Sequence, residues 1–341
     1  MTGLPQTAQV QPILMDSHGR QIHDLRVSIT DRCNYKCVYC RTGESGALYS
    51  ELGIDEYLRL IRLFVGLGIK KVRLTGGEPL LREGLLDLIA ELARMRTPAG
   101  EPLDLALTTN GHLLTKMAVP LKAAGLNRVT VSMDAVEAEV FEQITRVPGS
   151  FAHVLAGIRA AKAAGFSPVK INCVLMRGFN DGQIEGFARF ARDEEVIVRF
   201  IEFMPLEEGR VWKPEVVVPL KELVERIGKV LPLVPLTAND VSETARRFGF
   251  ADGVGEIGII APVSQPFCGA CSRIRLTSDG KIRTCLFSQS EYDIYHRIRN
   301  GETDEELGAF ILAAVEGKEA RHHIGEPGFL KPSRSMVHIG G

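Results

Sequence analysis

The chain has 341 residues, of which 45% are apolar and 24% charged, with a formal net charge of −1. That length and apolar content can build a full core in one or two domains, and the balanced charge gives no global basic field for nucleic acid. No apolar run approaches a membrane span, residues 1–20 lack the apolar centre of a signal peptide, and seven sparse cysteines suit unpaired thiols in a reducing cytoplasm better than a disulfide framework.

After a polar arm over residues 1–23, residues 25–30 read as a short strand running into a cysteine loop. A helical period over 54–67 leads to a strand at 71–75, and a helix over 81–95 leads to a strand at 103–108. A helix over 114–124, ended by Gly125, leads to a strand at 129–133. Helices over 138–144 and 151–164, the second ended by Gly165, lead to a strand at 169–175. A helix over 184–193 leads to a strand at 196–201. Branched apolar strands alternating with amphipathic helices make parallel βα units. Six strands are too few for the eight of a closed TIM barrel. The expected architecture is therefore α/β, a partial, open (β/α)6 barrel over residues 24–205, with its working residues at the C-terminal ends of the strands. The pattern changes near Met204-Pro205. A helix around 220–227, β-type segments near 256–260 and 273–277, a hairpin turn at Asp279-Gly280 and a helix over 304–315 precede a glycine- and basic-rich tail. Residues 206–341 are expected to form a smaller α+β region closing the open side of the barrel.

Cys33, Cys37 and Cys40 follow the first strand with C-x3-C-x2-C spacing. Three thiolates on one loop can hold three corners of a [4Fe–4S] cube and leave its fourth iron open. A structural zinc site is the alternative, and it would need a fourth ligand from His23 or a distant cysteine. Cys268, Cys271 and Cys285 form C-x2-C-x13-C across the hairpin, a pattern that by itself fits zinc, a redox pair or a cluster. Cys173, inside the apolar run 169–176, reads as a core thiol. Thr75-Gly76-Gly77-Glu78-Pro79 ends the second strand, either as a tight strand-to-helix turn or as a place where backbone approaches a ligand.

Arg26, Lys71, Arg73, Lys170 and Arg199 fall on barrel strands. A basic strand residue is ordinarily a solvated edge. Five of them on barrel strands, four with apolar neighbours on both sides, are harder to explain as edge charges. Arginine suits bidentate phosphate contacts and lysine supplies a point charge. Arg273 and Arg275 share one face of a strand. No G-x4-G-K-[ST] P-loop is present.

The first cysteine set, with Tyr39 before Cys40, resembles the signature of the radical S-adenosylmethionine (SAM) enzymes. In that superfamily SAM chelates the open iron, and an electron from the cube splits it to methionine and a 5′-deoxyadenosyl radical. The flanks Asp24–Arg32 and Arg41, the second cysteine set, Gly-Gly-Glu-Pro and the terminal Gly340-Gly341 narrow the likeness to the GTP 3′,8-cyclase (MoaA) family. The likeness runs from Leu25 to the end of the chain and implies the same open barrel. It implies cyclisation of GTP to (8S)-3′,8-cyclo-7,8-dihydroguanosine 5′-triphosphate, the first step of molybdenum cofactor biosynthesis.

The resemblance further implies two [4Fe–4S] clusters, one on Cys33, Cys37 and Cys40 and one on Cys268, Cys271 and Cys285. It implies SAM contacts at Tyr39, Gly77, Ser132 and Met204. GTP contacts are implied at Arg26, Lys71, Arg73, Thr108, Lys170, Arg199, Arg273, Arg275, Gly340 and Gly341, with Arg26, Arg273 and Arg275 also catalytic. Two terminal glycines ordinarily mark a frayed end, but Met336, Val337 and Ile339 are too apolar for a tail free in water. The tail is expected to dock, and the resemblance places it at the barrel mouth. Implied partners are an external one-electron donor of flavodoxin or ferredoxin type and a downstream cyclic pyranopterin monophosphate synthase; a homodimer stays open, and neither nucleic acid nor membrane is expected. Two other classes remain: a radical SAM enzyme acting on peptides, and a non-catalytic zinc or electron-transfer module.

Overall fold

A computed structural model describes residues 13–40, 49–207 and 212–340. The first strand, β1 (Asp24–Ser28), buries Leu25 and Val27 on one face and leaves Asp24 and Arg26 half-buried on the other. Helix α1 (Ile54–Gly66) buries Tyr57, Leu60, Ile61 and Phe64 at helical spacing, and Glu56 closes its first turn by accepting from the Gly53 N–H at 2.7 Å.

The alternation then continues through β2 (Lys71–Thr75), α2 (Leu85–Arg94), β3 (Asp104–Thr109), α3 (Leu114–Ala123) and β4 (Arg128–Ser132). It ends with α4 (Ala138–Thr145), α5 (Ser150–Ala163), β5 (Lys170–Leu175), α6 (Ile184–Asp193) and β6 (Ile197–Glu202). Strands β1 to β6 are parallel and lie side by side in chain order. This is the open α/β architecture expected from the sequence. The helix expected from residue 81 starts only at Leu85. Pro79–Leu81 forms a short 3-10 turn, and Gly84 turns the chain through φ +75° into the helix.

Beyond β6 come α7 (Leu220–Val230), β7 (Leu233–Leu236), β8 (Arg246–Phe250) and β9 (Glu256–Ile260). They are followed by β10 (Arg273–Leu276), β11 (Lys281–Arg283), β12 (Tyr292–Asp293), α8 (Ile294–Arg299), α9 (Asp304–Glu316) and α10 (Met336–Ile339). The later strands do not make a sheet of their own. β9 pairs in parallel with β6, and β10 pairs in parallel with β1, giving a twelve-stranded sheet in the order β12-β11-β10-β1-β2-β3-β4-β5-β6-β9-β8-β7. An open barrel leaves unpaired backbone groups along β1 and β6, and the C-terminal strands satisfy both edges.

The apolar side chains form one large cluster that spans this sheet and its helices. A smaller cluster of Leu206, Phe287, Ile324 and Ile339 sits against the tail. The tail docks: Val337 and Ile339 are buried, and Arg334 makes two 2.9 Å hydrogen bonds to the Asp279 carboxylate. Among the described residues no helix is long and apolar enough to cross a membrane.

Candidate active site

The C-terminal ends of the strands open onto a cavity of about 280 Å3. The cysteine loop after β1 is held there by the turn that ends β2. The Gly77 N–H donates to the Thr30 carbonyl and the Glu78 N–H to the Arg32 carbonyl, both at 2.8 Å. A Cβ on Gly76 would stand 2.3 Å from the Thr30 carbonyl oxygen, and one on Gly77 the same distance from that of Arg32. Only glycine lets the two backbones meet so closely. Glu78 is fully buried and ties the turn to β3: its carboxylate accepts from Leu80 N–H (3.0 Å), Thr109 Oγ1 (2.7 Å) and Asn110 N–H (2.7 Å). Burial pushes this carboxyl up to about 7 against the pull of those three donors.

All six cysteines of the two sets line the cavity, Cys33, Cys37 and Cys40 from the loop after β1, Cys268, Cys271 and Cys285 from the segments flanking β10 and β11. Tyr39, Gly77, Ser132 and Met204 line it as well. Tyr39 donates its hydroxyl to Asp134 at 2.6 Å, and Asp134 also accepts from the Val174 N–H at 2.8 Å. Cys173 is buried in β5 with no exposed surface, as a core thiol should be.

Arg26, Arg73, Thr108, Arg199, Arg273 and Arg275 share the same cavity wall. Strand register explains their meeting, since Arg26 sits beside Arg73 on one side and Arg275 on the other. Their hydrogen-bond partners are hydroxyls, a thiol and a carbonyl. Arg73 donates to Thr108 Oγ1 (3.2 Å) and Thr130 Oγ1 (3.3 Å), Arg199 to Thr130 Oγ1 (3.3 Å), Arg273 to Cys271 Sγ (3.4 Å) and Arg275 to the Gly340 carbonyl. Among the described residues the Nε atoms of Arg26 and Arg199 are buried without a partner, and none of these five arginines pairs with a carboxylate. Burial, then the neighbouring Arg273, brings Arg26 down to about 10; burial, then Arg73 and Arg26, brings Arg199 down to about 9. A set of buried cations that repel one another is a site built for an anion.

The two predicted lysines stand apart from the cavity lining. Lys71 and Lys170 each open their strand, at the far end from the cysteine loop. Lys71 pairs with Asp240 at 3.2 Å. Burial, then Arg199 and Arg128, brings the Lys170 ammonium down to about 8. Gly340 is buried behind the wall, where a Cβ would stand 2.8 Å from Thr75 Cγ2; Gly341, like Arg41 and residues 1–12, lies outside the described residues. The tail still reaches the cavity, because Met336 and Val337 line it. Sequence reasoning missed other lining residues, among them Asp134, Phe267, Lys318 and His322. Asp134 follows Ser132 at the end of β4 and could have been found there; Lys318 and His322 carry no local signal. A second, more open hollow between α1 and α9, lined by Leu63, Leu67, Ala309 and Leu312, holds none of these cysteines or strand arginines.

Residues 27–191 match the Radical SAM superfamily, and residues 196–324 match Molybdenum Cofactor Synthesis C. The chain is 43% identical to the GTP 3′,8-cyclase of Moorella thermoacetica over 96% of its own length and 100% of that protein. The chain belongs to the GTP 3′,8-cyclase family. Family members from Corynebacterium glutamicum and Xanthomonas axonopodis pv. citri are 44% and 45% identical, covering 96% and 85% of this chain and 89% and 87% of theirs. Among solved structures, Streptococcus suis SuiB bound to precursor peptide SuiA superposes with a TM-score of 0.65 at 13% identity, over 88% of this chain and 68% of that one. SuiB bound to S-adenosylmethionine gives 0.60 at 14% identity, over 82% of this chain and 65% of that one. These two likenesses establish the fold.

SAM and iron–sulfur clusters are the cofactors of this radical SAM enzyme, and the thiols present fit a cluster. Burial, then the neighbouring Cys40, Asp134 and Cys33, pushes the Cys37 thiol well up from its ordinary value. Thiols so placed cannot all ionise by themselves, and the iron of a shared cluster removes that conflict. At the second set burial pushes Cys271 up, but Arg273 and Lys318 outweigh it and bring the thiol down to about 6. Among the described residues no three His, Cys, Asp or Glu side chains are drawn together closely enough to hold a single metal ion.

Proposed function

We propose that this protein cyclises GTP to (8S)-3′,8-cyclo-7,8-dihydroguanosine 5′-triphosphate, the first step of molybdenum cofactor biosynthesis, with residues 24–205 as the SAM-binding barrel and 206–341 carrying the second cluster and the tail. The observation that carries this reading is a single cavity lined by two sets of three cysteines and five arginines that no carboxylate pairs among the described residues. Cys33, Cys37 and Cys40 would hold the first [4Fe–4S] cluster, with SAM against Tyr39, Gly77, Ser132 and Met204. Cys268, Cys271 and Cys285 would hold the second. When bound, SAM and the clusters supply the one-electron chemistry that takes hydrogen from ribose C3′ and lets that carbon join guanine C8.

The protein's own contribution is placement. Arg26, Arg73 and Arg199 bind the triphosphate, while Arg273 and Arg275 orient the nucleoside beside the second set. The Arg275–Gly340 contact and the docked tail close one side, so water is kept from the reacting carbons. Lys71 and Lys170 add long-range charge from the far strand ends. An external one-electron donor of flavodoxin or ferredoxin type and a downstream cyclic pyranopterin monophosphate synthase complete the proposed setting.

Protein prepared without oxygen is expected to contain about eight irons and eight sulfides per chain. Four irons with one zinc would overturn the assignment of the second cysteine set. Substrate anchoring has its own test, by calorimetry with GTP. Arg73→Ala should weaken GTP binding by about 2 kcal/mol, ~30-fold in Kd, since it removes a desolvated charge. Lys71→Ala should cost about 1 kcal/mol or less, because that ammonium is partly solvated and already paired. Undiminished GTP binding in Arg73→Ala would return the strand arginines to a structural role.

A further inference from the structure

One buried cation in the cavity is explained by none of this. Lys318 follows α9, is 4% exposed, and lines the cavity together with Cys268, Cys271 and Cys285. Its ammonium donates to the carbonyl of Thr284, the residue before Cys285. Among the described residues it pairs with no carboxylate, and the adjacent Glu319 turns its own carboxylate to Thr284 Oγ1 at 2.7 Å.

The backbone that carries Lys318 is pinned from the other side. Arg20, itself held by Asp16 at 2.6 Å, donates to the carbonyls of Glu319 (2.6 Å), Ala320 (2.7 Å) and Cys268 (2.8 Å). The lysine-bearing segment and the second cysteine set are thus buckled together through one guanidinium. A buried ammonium without an anion is costly, so a fixed one signals that its anion is elsewhere. The three sulfur ligands of the second set line the same cavity wall, and the one carboxylate beside them, that of Glu319, is engaged by Thr284.

We propose that Lys318 is a positioning residue of the second cluster site, a fixed countercharge to Cys268, Cys271, Cys285 and the cluster they hold, which makes that cluster easier to reduce. The inference rests on the reading of these cysteines as cluster ligands. Reduction adds negative charge to the cluster, and a cation held in a water-poor wall favours that state.

The test is a redox titration, followed by electron paramagnetic resonance, of anaerobically prepared wild type, Lys318→Gln and Lys318→Arg. Adding SAM identifies the first cluster by the change in its signal. Glutamine keeps a donor for the Thr284 carbonyl and removes the charge; arginine keeps both. The expected result is a more negative midpoint potential of the SAM-insensitive signal in Lys318→Gln, restoration in Lys318→Arg, and an unmoved SAM-sensitive signal in both. Loss of half the iron from the glutamine variant but not from the arginine variant supports the same reading. An unshifted potential in Lys318→Gln with its iron intact, or equal iron loss in both variants, overturns it. A wild-type chain with half the expected iron would instead overturn the ligand assignment beneath it.

Discussion

Cys37→Ala is expected to abolish reductive cleavage of SAM, whereas Cys271→Ala should lose GTP cyclisation and keep part of the SAM cleavage. The two cysteines line one cavity but stand on different supports. Cys37 lies on the loop that the Gly76-Gly77 turn clamps, near Tyr39 and Asp134, and it has two thiols as neighbours. On the proposed assignment, removing one of the three ligands would leave a cube with two protein thiolates, too few to hold the cluster that delivers the electron. Cys271 belongs to the wall formed by Arg273, Lys318 and Cys285, across the β10–β11 hairpin. Its loss should cost the second cluster and the orientation of the nucleoside while the first set stays whole. Methionine and 5′-deoxyadenosine release, measured with dithionite in each variant, checks this. Equal loss of SAM cleavage in both variants would sink the division of labour.

Deleting Gly340 and Gly341 should leave iron content and SAM binding unchanged and slow cyclisation by about a hundredfold. Helix α10 stays anchored without them, since Arg334 is tied to Asp279 by two 2.9 Å bonds and to Glu291 at 2.7 Å. What the deletion removes is the Gly340 carbonyl that accepts from Arg275, at a glycine with φ +76° packed against Thr75 and Ser28. Arg275 is 5% exposed and sits beside Arg26 in the sheet, so loosening it disturbs the arginine wall proposed to place the substrate. A misplacement of about 1 Å at a reacting centre costs on the order of a hundredfold in rate. Single-turnover assays with GTP and SAM measure it. Wild-type turnover in the truncated chain would make the end a frayed terminus with no part in the reaction.

Local order carries much of this protein. Three thiols within eight residues after a strand form one group whatever the rest of the chain does, and Cys268-Gly269-Ala270-Cys271 supplies two of the other three. The βα alternation from β1 to β6 is also local, because each strand's apolar alternation and each helix's apolar stripe are written in its own residues. Gly76 and Gly77 are legible as a tight approach, although the sequence leaves open what approaches; the structure shows it to be the backbone of residues 30–32.

Tertiary structure decided the rest, since pairing between distant strands has no periodic trace in either partner. The edges where β9 and β10 attach, and the register that sets Arg26 between Arg73 and Arg275, follow from which open edges need hydrogen-bond partners after the core has closed. Lys71 and Arg73 look alike in sequence, two residues apart on one strand face. Only their depth in the assembled sheet puts Arg73 in the cavity wall and Lys71 at the far end with Asp240. Lys318 has no motif around it, and it reaches the second cysteine set because Arg20, from the start of the chain, draws the carbonyls of Glu319, Ala320 and Cys268 to one guanidinium. The chemistry of the thiols was local; the charge placed around them required the fold.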